Sequence, residues 1–475
     1  MKRARSPNLT SLPVLLLRGT LIDSASQSVL RILKDAVVGV NDSGRITFVE
    51  DAHPETLGAN DELVLRDYPE PIPLTNVDIV TIPPRGFLCP GFVDTHTHAP
   101  QFAFAGLGYD MELLDWLETY TFPSEAKFKD LDYAAKVCRN AVRRTLHSGS
   151  TSCVYFGTIH TDAATLLGTV AAQQGQRSFV GKVNMDRNAP DSYRETTAES
   201  IAETRRFVRS MLQAREQPTG KALKGPAPVP VVTPRFVPTC SSELMHALGA
   251  IATEHGLLVQ SHVSENPGEV AWVKELHPGD SSYTAVYDSH GLLGPKTILA
   301  HGVYLDGRER ALLHAKRATV SHCPMSNSML RSGMLNVRRL LQDGVNVTLG
   351  TDVSGGASPS MLSAIREALK VSNMVSVYES QTGAALTYPE AYWLATVAGA
   401  TAVGVDGLTG DLSVGSIFDA LVVDPEAPGS PIDLYSGDSP LEAFQKWIQL
   451  GDDRNTAEIY VQGKQVHSAA RTVEQ

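Results

Sequence analysis

Cysteine is scarce in this chain. There are five in 475 residues, Cys89, Cys138, Cys153, Cys240 and Cys323, and none forms a CxxC pair. That excludes a disulfide-stapled module and fits reduced thiols in a cytoplasmic protein. Long apolar runs are also missing: nothing approaches the roughly 18 to 20 residues that span a bilayer. The start, MKRARSPNLTSLPVLLLRG, is basic, but its apolar run covers only residues 12–17 and contains Pro13. A secretory core needs about 7 to 15 such residues, so the expectation here is a basic tail leading into a strand. An excess of positive charge is absent too. Lys and Arg number 41 against 52 Asp and Glu, a formal net charge of -11, which lacks the electrostatic footprint of a nucleic-acid binder. No GxGxxG follows the first strand of the α/β region, which argues against a dinucleotide-binding open sheet. No internal repeat at a solenoid period is present.

What remains is a globular composition, 42% hydrophobic and 20% charged, at a length that allows several domains or one large α/β domain with additions. The most informative pattern is a series of short, apolar, often β-branched runs at 91–95, 151–156, 178–184, 229–233, 257–261, 297–300, 318–321 and 346–350. Such runs suit strands buried on both faces of a parallel sheet. Segments of helical periodicity lie between them, at 131–146, 163–172, 199–212, 244–254 and 308–315. Eight strands alternating with helices predict an α/β fold of the (β/α)8 TIM-barrel class, with a doubly wound open sheet as the alternative.

The two ends read differently. Strand-like runs at 14–17, 36–40 and 46–49 precede a polar, acidic stretch at 51–70. After a helical segment at 389–402, strand and turn signals return at 415–424 and 458–465, with Gly463 at a hairpin turn. These runs predict a small β-sandwich domain built from both termini. The expected boundaries are 1–85 and 403–475 for that domain and 86–402 for the barrel. Residues 217–230, rich in Pro, Gly and Lys, read as a solvated loop before the fourth strand.

The chemistry concentrates at the ends of the predicted barrel strands. His96 and His98 follow the first strand in VDTHTH, and His262 ends the fifth in VQSHVSE. His301 ends the sixth in ILAHG, His322 the seventh in VSHCP, and Asp352 the eighth in LGTD. In a barrel the C-terminal strand ends share one mouth, where active sites form. Residues two apart on a strand face the same side, so His96 and His98 can bind one metal together. Three imidazoles and one carboxylate suit zinc, with iron as the alternative. Glu265, three residues beyond His262, is placed either to move protons between a water and a substrate or to start the next helix. Arg235 and Phe236 follow the fourth strand. A guanidinium and a ring there suit a planar ligand with a carbonyl, and they also read as ordinary loop residues.

At this point the residues resemble the amidohydrolase superfamily, and within it the guanine deaminases. The similar segments are PGFVDTHTHAPQFAFAG (90–106), YTFPSEAKF (120–128), FGTIHTD (156–162), VTPRF (232–236), SHVSENPGEV (261–270), AHGVYL (300–305), SHCPMSNSMLRSGMLNV (321–337), LGTDVSGG (349–356) and LGDDRN (450–455). The resemblance implies a barrel of the metal-dependent hydrolase type. It implies one zinc ion per chain held by His96, His98, His262 and Asp352. It further implies His301 beside the metal, either placing a water or as a fifth neighbour, and Glu265 as proton shuttle. Gln101, Arg235 and Phe236 are the implied guanine-binding residues, and a homodimer is the implied assembly. Asp352 would also accept a proton from the water. One departure is Met325 in HCPMSN, where a polar residue is expected, beside a His322 read as facing the site.

Overall fold

The computed structural model describes residues 12–51, 62–64, 72–216, 225–379, 383–405 and 407–469. Residues 1–11, most of the acidic 51–70 stretch, and residues 217–224 of the predicted loop lie outside the described residues. The chain divides into two compact units. One runs up to Gly91 and resumes at Val405; the other is Phe92–Gly404.

The Phe92–Gly404 unit contains eight parallel strands: β1 (Phe92–His98), β2 (Ser150–Phe156), β3 (Arg177–Asn184), β4 (Val229–Pro234), β5 (Leu258–Val263), β6 (Thr297–His301), β7 (Thr319–His322) and β8 (Asn346–Leu349). They pair in chain order from β1 to β8. The two end strands then meet. Thr95 donates its hydroxyl to Leu349 O at 2.9 Å, and the Asp352 N–H donates to His96 O at 2.8 Å. Every residue of β1, β2 and β6 is buried, as sheets covered by helices on the outside require.

Helices fill the connections, and local chemistry sets their ends. Leu131–His147 starts at Asp130, whose side chain accepts the N–H groups of Asp132 and Tyr133. Ser242–His255 starts on the Ser241 hydroxyl and stops at Gly256, which takes a left-handed φ of 61° that glycine adopts without a side-chain clash. The longest helix behind the last strand, Met361–Tyr378, is absent from the sequence expectation.

The other unit is an eight-stranded mixed sheet. Its central strand, Pro13–Ser26, pairs with Val29–Asn41, Asp78–Thr81 and Phe87–Pro90. The C-terminal strands Ala420–Val423, Thr456–Val461 and Lys464–Ser468 extend it beyond Phe87–Pro90. Strand alternation separates two cores. Leu15, Leu17, Val38 and Val40 pack with Leu88, Ala420 and Val422 on one face. Leu16, Val37 and Phe48 pack on the other, against Leu63 and Ile72 of a two-stranded sheet. Phe87–Pro90, on the barrel side of the expected 85/86 boundary, pairs in this mixed sheet. A helix, Pro440–Leu450, also interrupts the C-terminal stretch of expected strands and turns. Ser439 and Glu442 form its capping box, and Phe444 and Trp447 meet Phe87 edge-on at 5.6 and 5.4 Å.

Candidate active site

β1 carries His96 and His98 within the strand itself, not beyond its end. The β1–β2 register slips between Asp94 and Thr97. Such an irregularity re-aims side chains next to functional sites. His262 lies in β5, and Asp352 lies in the loop after β8. Their polar atoms converge. His98 Nε2 is 3.3 Å from His96 Nε2, 3.2 Å from His262 Nε2 and 3.4 Å from Asp352 Oδ1; His96 Nε2 is 3.2 Å from the same Oδ1.

One imidazole proton cannot serve three such neighbours at once. A central cation can. Tetrahedral ligands at about 2.0 to 2.1 Å from zinc sit roughly 1.6 bond lengths apart, about 3.3 to 3.4 Å, close to the four separations above. The protonation states agree. The His262 Nδ1–H donates to Arg235 O at 2.6 Å, which leaves the Nε2 lone pair facing the cluster. Burial, then the neighbouring imidazoles, hold His98 and His262 well below the usual histidine range. Burial raises Asp352, but the facing His96, His301 and His98 outweigh it and keep the carboxylate below its ordinary range. The residues present therefore fit a bound metal. The Cys323 sulfur lies within 4.8 Å of ligand atoms of His96 and Asp352. Burial pushes its thiol well up, however, and it points its hydrogen at Ser321 O.

Glu265 and His301 stand together beside this cluster. His301 Nε2 is 3.4 Å from Glu265 Oε2 and 3.8 Å from Asp352 Oδ2. His301 Nδ1 lies 2.8 Å from Asn327 Oδ1, an acceptor, so Nδ1 carries a proton, and Nε2 faces the two carboxylates, which raise the imidazole against its burial. Burial, opposed by His301 and reinforced by Glu269 and Asp352, raises the Glu265 carboxyl to about 7. It accepts the Ser332 hydroxyl at 3.1 Å. Glu265 precedes the helix Pro267–Leu276, and Asn266 is that helix's N-cap, so Glu265 is not the cap. Ser264, His301 and Asp352 all have left-handed φ, at 46°, 75° and 47°. Non-glycine residues held this way cost of order 1–3 kcal/mol each and gather at functional sites.

A cavity opens beside these groups. Gln101, Arg235 and Phe236 line it together with His98, His262, Glu265, His301 and Asp352. Leu113, Trp116 and Leu117, from the segment between β1 and the helix Leu131–His147, add an apolar wall. His322 is not among the described residues lining this cavity. It is fully buried, neither ring nitrogen has a hydrogen-bond partner among the described residues, and burial pushes its pKa down to about 3. Met325 is half-buried, and its Sδ accepts the Ala357 N–H at 3.1 Å.

Four further side chains bear on the site and escaped the sequence reading of individual residues: Glu125, Asn327, Ser332 and Trp116. Glu125 lies inside YTFPSEAKF, and Asn327 and Ser332 lie inside SHCPMSNSMLRSGMLNV, so the segments carried a signal that residue types alone did not. Trp116 lies outside those segments and carried none.

Comparison with known proteins gives the same direction. The pattern described as "Amidohydrolase family" matches residues 87–466. The chain is 44% identical to guanine deaminase of Mus musculus, over 98% of this chain and 98% of that one. It is 45% identical to guanine deaminase of Homo sapiens, over 94% and 96%. A solved guanine deaminase from C. acetobutylicum, with guanine bound in its active site, superposes with a TM-score of 0.84 at 33% identity, covering 95% of this chain and 99% of that one. The chain therefore belongs to the amidohydrolase family, in the group that the guanine deaminases form.

Proposed function

We propose that the chain catalyses the hydrolytic deamination of guanine to xanthine and ammonia, using one zinc ion held by His96, His98, His262 and Asp352. The observation that carries this reading is the four-atom convergence of those residues beside a cavity lined by Gln101, Arg235 and Phe236. Zinc, when bound, acts as a Lewis acid that lowers the pKa of water from 15.7 to about 7. The chain's own residues do the rest. Asp352 turns Oδ1 to the histidine cluster and Oδ2 towards His301, so Oδ2 is free to take the proton of the attacking water. His301 Nε2 orients that water. Glu265, with a carboxyl poised at about 7, gives a proton to the ring nitrogen beside C2, takes up the remaining proton of the new C2 hydroxyl and passes it to the departing amine, and the proton held by Asp352 then returns to Glu265. The sum is guanine plus water to xanthine plus ammonia. Arg235 donates to the C6 oxygen, Phe236 packs on the ring face, and Gln101 binds a polar edge.

Burial of these groups excludes water and makes each hydrogen bond count for more. A site built to donate to a C6 oxygen rejects adenine, whose C6 amino group is a donor, by up to about 10⁴ to 10⁵. Incubating purified protein with guanine and adenine, and following xanthine and ammonia, tests the reading. Guanine turnover with little adenine turnover is expected. Equal rates on both would sink it. A cytoplasmic homodimer completes the proposal, with sedimentation at twice the chain mass as the expected result.

A further inference from the structure

Glu125 sits at the second-last position of the short helix Phe122–Ala126 and is fully buried. A buried carboxylate needs partners, and this one has a full set. Oε2 accepts from Arg235 Nη1 at 2.7 Å and from the Tyr193 hydroxyl at 2.7 Å. Oε1 accepts from Gln101 Nε2 at 3.1 Å and from Arg235 Nη2 at 3.3 Å. A carboxylate offers about four lone-pair sites, and all four are engaged by protein donors. Glu125 is not among the described residues lining the cavity, and it has no acceptor site left for a ligand.

Its partners do face the cavity. Arg235 is gripped from two sides, by the Glu125 carboxylate and by the Phe122 ring, whose centroid lies 5.2 Å from the guanidinium carbon. Two of its five N–H groups are spent on Glu125, so three remain. Gln101 has two amide orientations in principle. Glu125 only accepts, so the Gln101 NH2 must face it, and the amide oxygen takes the Ser354 N–H at 3.3 Å. One carboxylate thus sets both the plane of the guanidinium and the flip of the amide.

We propose that Glu125 is the positioning residue of the base-recognition site. It presents Arg235 and Gln101 to the ligand in one fixed donor pattern without touching the ligand itself. This rests on the reading of Arg235 and Gln101 as ligand-binding groups. Glu125→Gln keeps the shape but turns one acceptor oxygen into a donor, so Arg235 or Gln101 loses its partner.

The test is a cycle of wild type, Glu125→Gln, Arg235→Met and the double variant, with kcat and KM for guanine, metal content and melting temperature. Glu125→Gln should retain metal and raise KM about 10- to 100-fold with kcat within about threefold, because the grip is lost equally in ground and transition states. In the Arg235→Met background the same change should have at least about tenfold less effect, since coupled residues are non-additive. Removing one partner of a buried pair is strongly destabilising, whereas replacing both is often neutral. If Glu125→Gln does not fold, Glu125→Asp carries the test: it keeps the charge, draws the carboxylate back by one methylene and should give the same KM rise. Additive losses, or a kcat loss at unchanged KM, overturn the inference while wild-type guanine turnover leaves the functional reading standing. A wild type without guanine turnover overturns both.

Discussion

Glu265 and His262 line one cavity, and their substitutions should separate cleanly. Glu265 meets His301 and Ser332 through its carboxylate. Glu265→Gln is isosteric but cannot cycle a proton. Metal should stay bound while kcat falls by about 10² or more. Near-normal turnover with metal retained would reduce Glu265 to a residue that merely precedes a helix. His262→Ala removes a nitrogen that lies 3.2 Å from His98 Nε2, which opens the coordination shell. Elemental analysis should then find metal and activity lost together. A His262→Ala protein with full metal content would remove His262 from the ligand set.

The elements that carry these residues depend on short local signals. The helix Gly307–Lys316 follows β6 and His301 closely. Asp306 accepts the N–H groups of Arg308 and Glu309, both at 2.8 Å, and Glu309 returns a bond to the Asp306 N–H at 3.0 Å. Asp306→Ala should therefore cost about 1 kcal/mol of stability. Chemical denaturation should register that loss while kcat stays at the wild-type value. A large fall in kcat would mean that the helix start also sets the His301 backbone. β3 shows the same dependence on packing. A Cβ at Gly181 would lie 2.5 Å from Gln260 Nε2 and 2.8 Å from Thr233 Cβ, so this strand tolerates no side chain where it faces β4 and β5.

For the molecule as a whole, the metal should act as a clasp. Its proposed ligands come from β1, β5 and the loop after β8, which are far apart in the chain but meet at one point. A ligand that binds only the folded state stabilises it, by about 2.7 kcal/mol at one hundred times its dissociation constant. Chelation should abolish activity and lower the melting temperature, and added zinc should restore both. One equivalent of zinc per chain is the expected content. A fully active metal-free preparation would defeat the proposal.

Much of this was legible before any coordinates. Buried parallel strands are short apolar runs whatever their neighbours, so all eight barrel strands showed in the sequence, and HxH, SHVSE and GTD marked where polar side chains break those runs. The amphipathic Pro440–Leu450 helix was hidden by flanking strand signals, although its capping box is written in the chain. What the sequence could not decide was who faces whom. His322 and His301 both end barrel strands, yet only His301 lines the cavity. Residue type and position at a strand end do not say which side chain finally meets the cavity. Glu125 reaches Arg235 across 110 positions, and the acceptors of a buried carboxylate are filled by donors that only the folded chain brings together. Spacing along the chain encodes local periodicity. The pairing of buried charges is settled by the desolvation that tertiary packing imposes, and so it belongs to the structure alone.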